Sequence, residues 1–292
     1  MALNYVVTAH KSTVITHALA GDFIRPKEIS FVLATANRIQ LFLVAPDGLV
    51  PFRECPIYGR IACLKIFRRY DENVDSLLVL TSKYHLAVIQ WMPTGAVVTR
   101  AYGQIADRVG RPSDTGMLAA VHSSGLMVFR LYDGVLKMVK WAEGSELRGV
   151  NITCDDLFIV DLVFLPVHDE PTLAYIHHEN NLFHLKVLTL NVPEEKLNPP
   201  LWVHDRLEND TSGDDARCIC TLPGSYPHVS PVSCYAPVDR NGHRFLLGDL
   251  KGNIYMLLLE IESKEARDGS TVMTVKNMKL LSMEPRGHWC NG

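Results

Sequence analysis

One pattern recurs five times along the chain: an apolar run, a short polar turn, then a second apolar run. The clearest copy is residues 244–260, RFLLGDLKGNIYMLLLE, in which Phe245 to Leu247 and Ile254 to Leu259 flank a turn holding Gly248, Asp249, Lys251, Gly252 and Asn253. Gly, Asp and Asn tolerate the positive φ that tight turns demand, so the pattern predicts a β-hairpin. Earlier copies are Phe31 to Val44 (FVLATANRIQLFLV), Leu77 to Trp91 (LLVLTSKYHLAVIQW), Met117 to Leu131 (MLAAVHSSGLMVFRL) and Thr172 to Leu188 (TLAYIHHENNLFHLKVL). Their starts at 31, 77, 117, 172 and 244 lie 46, 40, 55 and 72 residues apart. A hairpin recurring at roughly 40–50 residues is the period of β-propeller blades. Each blade is a four-stranded sheet that must stack on its neighbours to bury its faces.

Segments between the hairpins supply further strands: Asn4 to Ala9, Val14 to Phe23, Leu49 to Ile57, Ile61 to Phe67, Ala96 to Tyr102, Val135 to Trp141, Phe158 to Leu165 and Thr271 to Leu281. Residues 103–116 (GQIADRVGRPSDTG) and 143–148 are polar and read as loops. Between Asn191 and Ser230 the pattern breaks down: residues 208–215 (ENDTSGDD) are polar, prolines stand at 193, 199, 200, 223 and 227, and only Arg217 to Leu222 has strand character. No apolar stripe of helical period exceeds three turns, so the expected class is all-β. The expected architecture is a partial β-propeller, WD40-like, of about five to six blades over residues 1–282, with 283–292 a tail of no strand period. An incomplete ring leaves edges unpaired and blade faces open to water, so marginal stability of the isolated chain is expected.

With 292 residues, 47% of them hydrophobic, the chain can bury a large core. Its 29 basic and 32 acidic residues give a net charge of -3, unlike the basic face of a protein that grips DNA by itself. Arg68, Arg69, Arg100, Arg108 and Arg111 form a thin scatter and read as solvated strand ends and loops. Met1 to Ala20 lacks a continuous apolar stretch, so no secretory signal is expected there, and no run approaches the roughly 18–20 apolar residues of a membrane helix. Seven irregularly spaced cysteines favour reduced thiols; Cys218 and Cys220 have the wrong spacing for a CxxC site.

Catalytic spacings are missing: there is no G-x-S-x-G elbow, no phosphate-binding G-x-x-x-x-G-K-[ST] loop and no H-E-x-x-H. No catalytic, metal or cofactor site is therefore expected. His177, His178, Glu179 and His184 could approach a metal, but the adjacent His177 and His178 face opposite sides of a strand, and polar residues near a hairpin turn explain the group. Asp239 to Gly242 begins like a calcium loop but lacks the bidentate Glu, since position 250 is Leu. Asn151 and Asn209 begin glycosylation sequons by pattern only. The most unusual polar stretch is Arg111-Pro112-Ser113-Asp114-Thr115-Gly116. It is either a partner-binding loop, in which Arg offers bidentate hydrogen bonds, or an inter-blade turn capped by Ser113 and Asp114.

Four separated stretches carry a family resemblance: Asn4 to Ala9, Asp107 to Gly116, Arg130-Leu131-Tyr132-Asp133-Gly134, and Leu246 to Asp249 with Leu257 to Glu260. In them the chain resembles the family of the large subunit of the damaged-DNA-binding complex, adaptors of cullin-4 ubiquitin ligases. The likeness runs from residue 1 to about 282; the chain is shorter than the family by about one hairpin near Pro223 to Ser230 and departs from it after Ser282. It implies most of the first of three seven-bladed propellers, in a nuclear and cytoplasmic protein. It further implies a non-enzymatic scaffold for DNA repair whose partners are substrate receptors of a cullin-4 ligase. DNA would be met only through a partner, with no membrane and no small-molecule substrate. The loop candidates are Arg108, Arg111, Ser113, Asp114, Tyr132 and Asp133. Sister families in cleavage/polyadenylation and splicing complexes are similar propellers, so a nucleic-acid-binding propeller of RNA processing is the alternative.

Overall fold

The structure, a computed structural model, describes residues 11–108, 110–114, 116–141, 146–165, 170–180, 182–204, 232–238, 243–249, 253–265 and 271–283. All regular structure among them is β-strand. The chain divides into two compact units, residues 1–206 and 207–292.

The first unit holds four sheets, each an antiparallel meander of consecutive strands. Blade one is β1 (His17–Arg25), β2 (Glu28–Thr35), β3 (Arg38–Ala45) and β4 (Gly48–Pro56). Blade two is β5 (Ile61–Phe67), β6 (Ser76–Thr81), β7 (His85–Met92) and β8 (Ala96–Gln104). Blade three is β9 (Leu118–Val121), β10 (Leu126–Tyr132), β11 (Val135–Lys140) and β12 (Gly149–Thr153). Blade four is β13 (Ile159–Leu165), β14 (Thr172–Glu179) and β15 (Leu182–Asn191), with its outer edge in two pieces, β16 (Lys196–Leu197) and β17 (Trp202–His204). The second unit holds one sheet, β18 (Val232–Pro237), β19 (Arg244–Asp249), β20 (Ile254–Glu265) and β21 (Thr271–Met283). The fold is thus all-β, with sheets of the kind that form the blades of a partial β-propeller.

All five predicted hairpins form. Four are the middle pair of their sheet, but the one read at residues 117–131 is the first pair of blade three. The second strands begin at Glu28, Ser76, Leu126, Thr172 and Arg244, steps of 48, 50, 46 and 72 residues. The 40- and 55-residue steps of the sequence pattern came from that offset hairpin, while the 72-residue step remains. Residues 191–204, read as strandless, contain β16 and β17. Pro199 and Pro200 cannot donate to the ladder, so the edge strand breaks between them and leaves two pieces too short to signal in sequence. Backbone bonds Asn198 N to Thr189 O (3.0 Å) and Leu201 N to Val187 O (2.8 Å) hold both sides of the break. The strands read at residues 4–9 and 217–222, the shortening near 223–230, the Asp239 turn and most of the tail lie outside the described residues.

Apolar side chains from adjacent blades interlock face to face. Val32, Ile39 and Leu41 of blade one meet Leu64, Leu77 and Val79 of blade two. Leu78, Leu80 and Val88 of blade two meet Met127, Phe129 and Leu131 of blade three. Leu126, Val128 and Leu136 of blade three meet Leu162, Leu173 and Tyr175 of blade four. Alternate residues of one strand therefore feed two different cores, and every residue of β6 and β10 is buried.

Polar ties reinforce these contacts. Arg68 Nε lies 2.7 Å from Asp75 Oδ1, and Arg68 Nη2 lies 3.0 Å from Asp22 Oδ2 of blade one. The Arg69 guanidinium lies 4.7 Å over the Trp141 ring of blade three, and Arg100 donates to the buried Gln90 at 2.7 Å. Three arginines of the scatter thus brace blades instead of standing in solvent; Arg108 and Arg111 are the exposed pair.

Gly103 on β8 passes so close to the Leu147 carbonyl that a Cβ there would collide with backbone, and Leu147 N donates to Tyr102 O at 2.9 Å. Gly103→Ala is expected to cost about 1–3 kcal/mol by overpacking. Equilibrium urea unfolding should register this as a lower midpoint; an unchanged midpoint would contradict the packing described.

Candidate functional site

At one end of the first unit, each loop between blades is bonded to the turn between a blade's second and third strands. Ile57 N donates to Asn37 O (2.8 Å), Ser82 N to Arg60 O (2.8 Å), Ile105 N to Tyr84 O (3.0 Å) and Cys154 N to Gly134 O (3.0 Å), and His178 N at the end of β14 donates to Phe158 O (2.9 Å). Among the described residues, the loop between β8 and β9 is held at several further points. Ser113 N donates to Leu131 O and Asp133 N to Arg111 O, both at 3.1 Å. The buried Tyr132 ring stacks on Tyr84 with centroids 5.4 Å apart, and its hydroxyl accepts the Asp107 N–H at 2.9 Å. Gly110 lies against that ring, where a Cβ would come within 2.6 Å of it. The Asp107 carboxylate in turn binds Lys137 Nζ at 2.6 Å and Asn151 Nδ2 at 3.0 Å.

From this anchor a line of ion pairs runs outward. Arg130 is 1% exposed, and its Nη2 donates to Asp133 Oδ1 at 3.0 Å and to Leu157 O at 2.9 Å. Asp133 Oδ2 lies 3.5 Å from Arg111 Nε, and Arg111 Nη2 lies 3.3 Å from Asp114 Oδ2. Arg111 and Asp114 are 74% and 68% exposed. The structure thus brings Arg111, Ser113, Asp114, Tyr132 and Asp133 together. Arg108 is exposed on the same loop, outside this line of pairs. Leu157, which sequence reasoning passed over, adds a 52% exposed apolar side chain beside them. Leu157 reaches the cluster because its Cδ2 lies 3.5 Å from where a Gly134 Cβ would stand. Sequence could not place it there, since 23 residues separate the two.

A second cluster sits at the same end of the blade three–blade four contact. Asp156 accepts the Tyr175 hydroxyl at 2.6 Å and Lys186 Nζ at 2.7 and 2.8 Å. His177 Nδ1 lies 3.4 Å from Asp156 Oδ1. His177 pairs across the ladder with His184, their rings stacked 5.0 Å apart. Burial opposes ionisation of Asp156, but the Lys186 and Tyr175 hydrogen bonds outweigh it and hold the carboxyl below its ordinary range. Burial pushes the His177 imidazole down, against the opposing pull of Asp156. Asp156 was invisible in sequence because the loop that carries it is far from the hairpin of His177.

The family model described as the RSE1/DDB1/CPSF1 first beta-propeller matches residues 14–225. DNA damage-binding protein 1 of Solanum lycopersicum is 32% identical over 284 residues, which cover 90% of this chain and 26% of that protein. DNA damage-binding protein 1a of Arabidopsis thaliana is likewise 32% identical, with the same coverage. DNA damage-binding protein 1 of Oryza sativa subsp. japonica is 31% identical over 282 residues, 89% of this chain. The chain spans about a quarter of the length of these relatives.

Tyr132→Phe removes one acceptor from the loop anchor while keeping the stacked ring. A loss of about 1 kcal/mol is expected, together with faster hydrogen exchange at the Asp107 amide; an unchanged exchange rate there would sink the anchoring role. Stability should also fall with pH. Burial pushes the pKa values of both His122 and His177 below the ordinary 6.5. Below about 6.5 the unfolded chain takes up protons that these folded imidazoles resist, so their contribution is complete above that value and is lost as the pH drops through the folded values. Melting temperatures measured from pH 7 down to about 5 should decline, and a flat profile would contradict the two buried neutral histidines.

Proposed function

The chain belongs to the RSE1/DDB1/CPSF1 first-propeller family, and from that premise we propose that it is a non-enzymatic protein-interaction scaffold. Residues 1–282 would act as one propeller portion, working like the adaptor subunit of a cullin-RING ubiquitin ligase in DNA damage repair. Its partners are substrate receptors of a cullin-4 ligase, and damaged DNA is reached through such a partner. The working place is the nucleus and cytoplasm, with no cofactor and no small-molecule substrate. No helix among the described residues is long and apolar enough to cross a membrane.

The observation that carries this reading is the 32% identity to proteins named for damaged-DNA binding across 90% of the chain. The surface chemistry supports a protein partner over a nucleic acid. The exposed end around residues 108–116 alternates Arg108 and Arg111 with Asp114, and Leu157 lies beside it. A phosphate backbone calls for a stripe of one sign. Arginine is among the residue types enriched at interface hot spots.

The test is direct binding of the purified chain to a purified cullin-4 substrate receptor, with single-stranded RNA and damaged duplex DNA in parallel at about 50 and 200 mM salt. Receptor binding that Arg111→Glu weakens by about tenfold or more, with no nucleic-acid binding, is the expected result. A salt-dependent affinity for RNA, unmatched by receptor binding, would instead favour the RNA-processing reading.

A further inference from the structure

We propose that Asp156, His177 and Glu179 form a binding site for a divalent transition-metal ion, with Zn²⁺ the expected occupant. One ligand atom from each of the three lies within 4.8 Å of the others. The arrangement follows from the strand period. His177 and Glu179 stand two apart on β14 and share its face, and the loop between β12 and β13 delivers Asp156 to that face. His184 is directly across the ladder from His177, with its ring stacked on that imidazole, and packs the site without joining the three ligand atoms.

The buried imidazole gives the second reason. The His177 side chain is 3% exposed, and among the described residues its Nε2 has no hydrogen-bond partner. Its Nδ1 faces Asp156 Oδ1 at 3.4 Å, long for an N–H···O bond. That separation is close to the edge of a tetrahedral zinc site, about 3.3 Å for ligands about 2.0–2.1 Å from the ion. The two ring nitrogens point apart, so an ion shared with Asp156 takes Nδ1 and not the unpartnered Nε2. The donor set of imidazole and carboxylate suits zinc. Tyr175, donating to Asp156 Oδ2 at 2.6 Å, supplies the outer hydrogen bond that orients a ligating carboxylate. Glu179 is exposed, so the ion can reach the site from solvent.

Lys186 is the competitor. Its ammonium contacts both Asp156 oxygens, and so neutralises the carboxylate that an arriving cation would need. The side chain is 22% exposed and can swing to solvent when the ion binds. This competition gives the site a signature that scattered surface histidines lack: removing a positive charge that is not a ligand should tighten binding.

The experiment is calorimetric titration of the full chain with Zn²⁺, with Co²⁺ absorption reporting tetrahedral coordination. One ion per chain is expected. Glu179→Gln, at an exposed position the fold tolerates, should weaken binding by about tenfold or more, and Lys186→Met should strengthen it by about tenfold. No saturable binding, or affinities that neither substitution moves, would overturn the site.

Discussion

A sheet with two apolar faces cannot exist alone in water, and this constraint organises the first unit. Blades two and three each have neighbours on both faces, so their central strands carry continuous apolar runs instead of the alternation of a half-solvated sheet. Leu77 and Val79 serve the contact with blade one while Leu78 and Leu80 serve the contact with blade three. At roughly 25 cal/mol per Å² of apolar surface removed from water, each inter-blade layer contributes more than any single polar tie. Register is fixed by the same requirement, since a one-residue slip would exchange the two cores.

The ends of the blades are governed by a different requirement. Loops crossing from one blade to the next bring backbone polar groups to the margin of an apolar core, and those groups must find partners. They find them in the neighbouring turns, which is why each crossing loop is bonded to a turn between second and third strands. Charged side chains join the blades too, at both ends of the sheets. Arg68 spans Asp22 and Asp75 between blades one and two, and Arg130 joins Asp133 to the Leu157 carbonyl between blades three and four. Removing one partner from such a group leaves a buried charge uncompensated, which is costlier than the pair is worth.

Much of this was legible in the sequence. The hairpins were, because short polar turns between apolar runs are local signals, and so was most of the loop read at residues 103–116, because its polarity and Pro112 are local too, although Gly103 and Gln104 belong to β8. What escaped was whatever depends on contacts between blades. Arg68 and Arg69 look like surface charge in one dimension and are ties in three. Tyr132 reads as part of a hairpin and proves to be the post on which Gly110 and Asp107 rest. Asp156 meets His177 only because β13 turns the chain back beside blade three. The broken edge of blade four escaped for a local reason, since strands of two and three residues lie below any periodicity signal.

The anchored loop also bears on how the exposed residues can work. A recognition side chain on a freely moving loop loses conformational entropy when a partner immobilises it, about 0.5–1.5 kcal/mol for each rotamer-rich side chain and more for the backbone. Here much of the backbone share is already lost on folding, because Asp107, Ser113 and Arg111 are held by the Tyr132 hydroxyl, the Leu131 carbonyl and the Asp133 amide. Arg111 is further restricted by Asp133 on one side and Asp114 on the other. A partner carboxylate approaching Arg111 must replace an exposed intramolecular ion pair with Asp114, and exposed pairs are worth only about 0–1 kcal/mol. The exchange is therefore nearly neutral in charge terms, so on the proposed reading selectivity would come from the rigid placement of Arg111 relative to Leu157. Buried Arg130 fixes that placement by holding Asp133 and the Leu157 carbonyl with a single nitrogen.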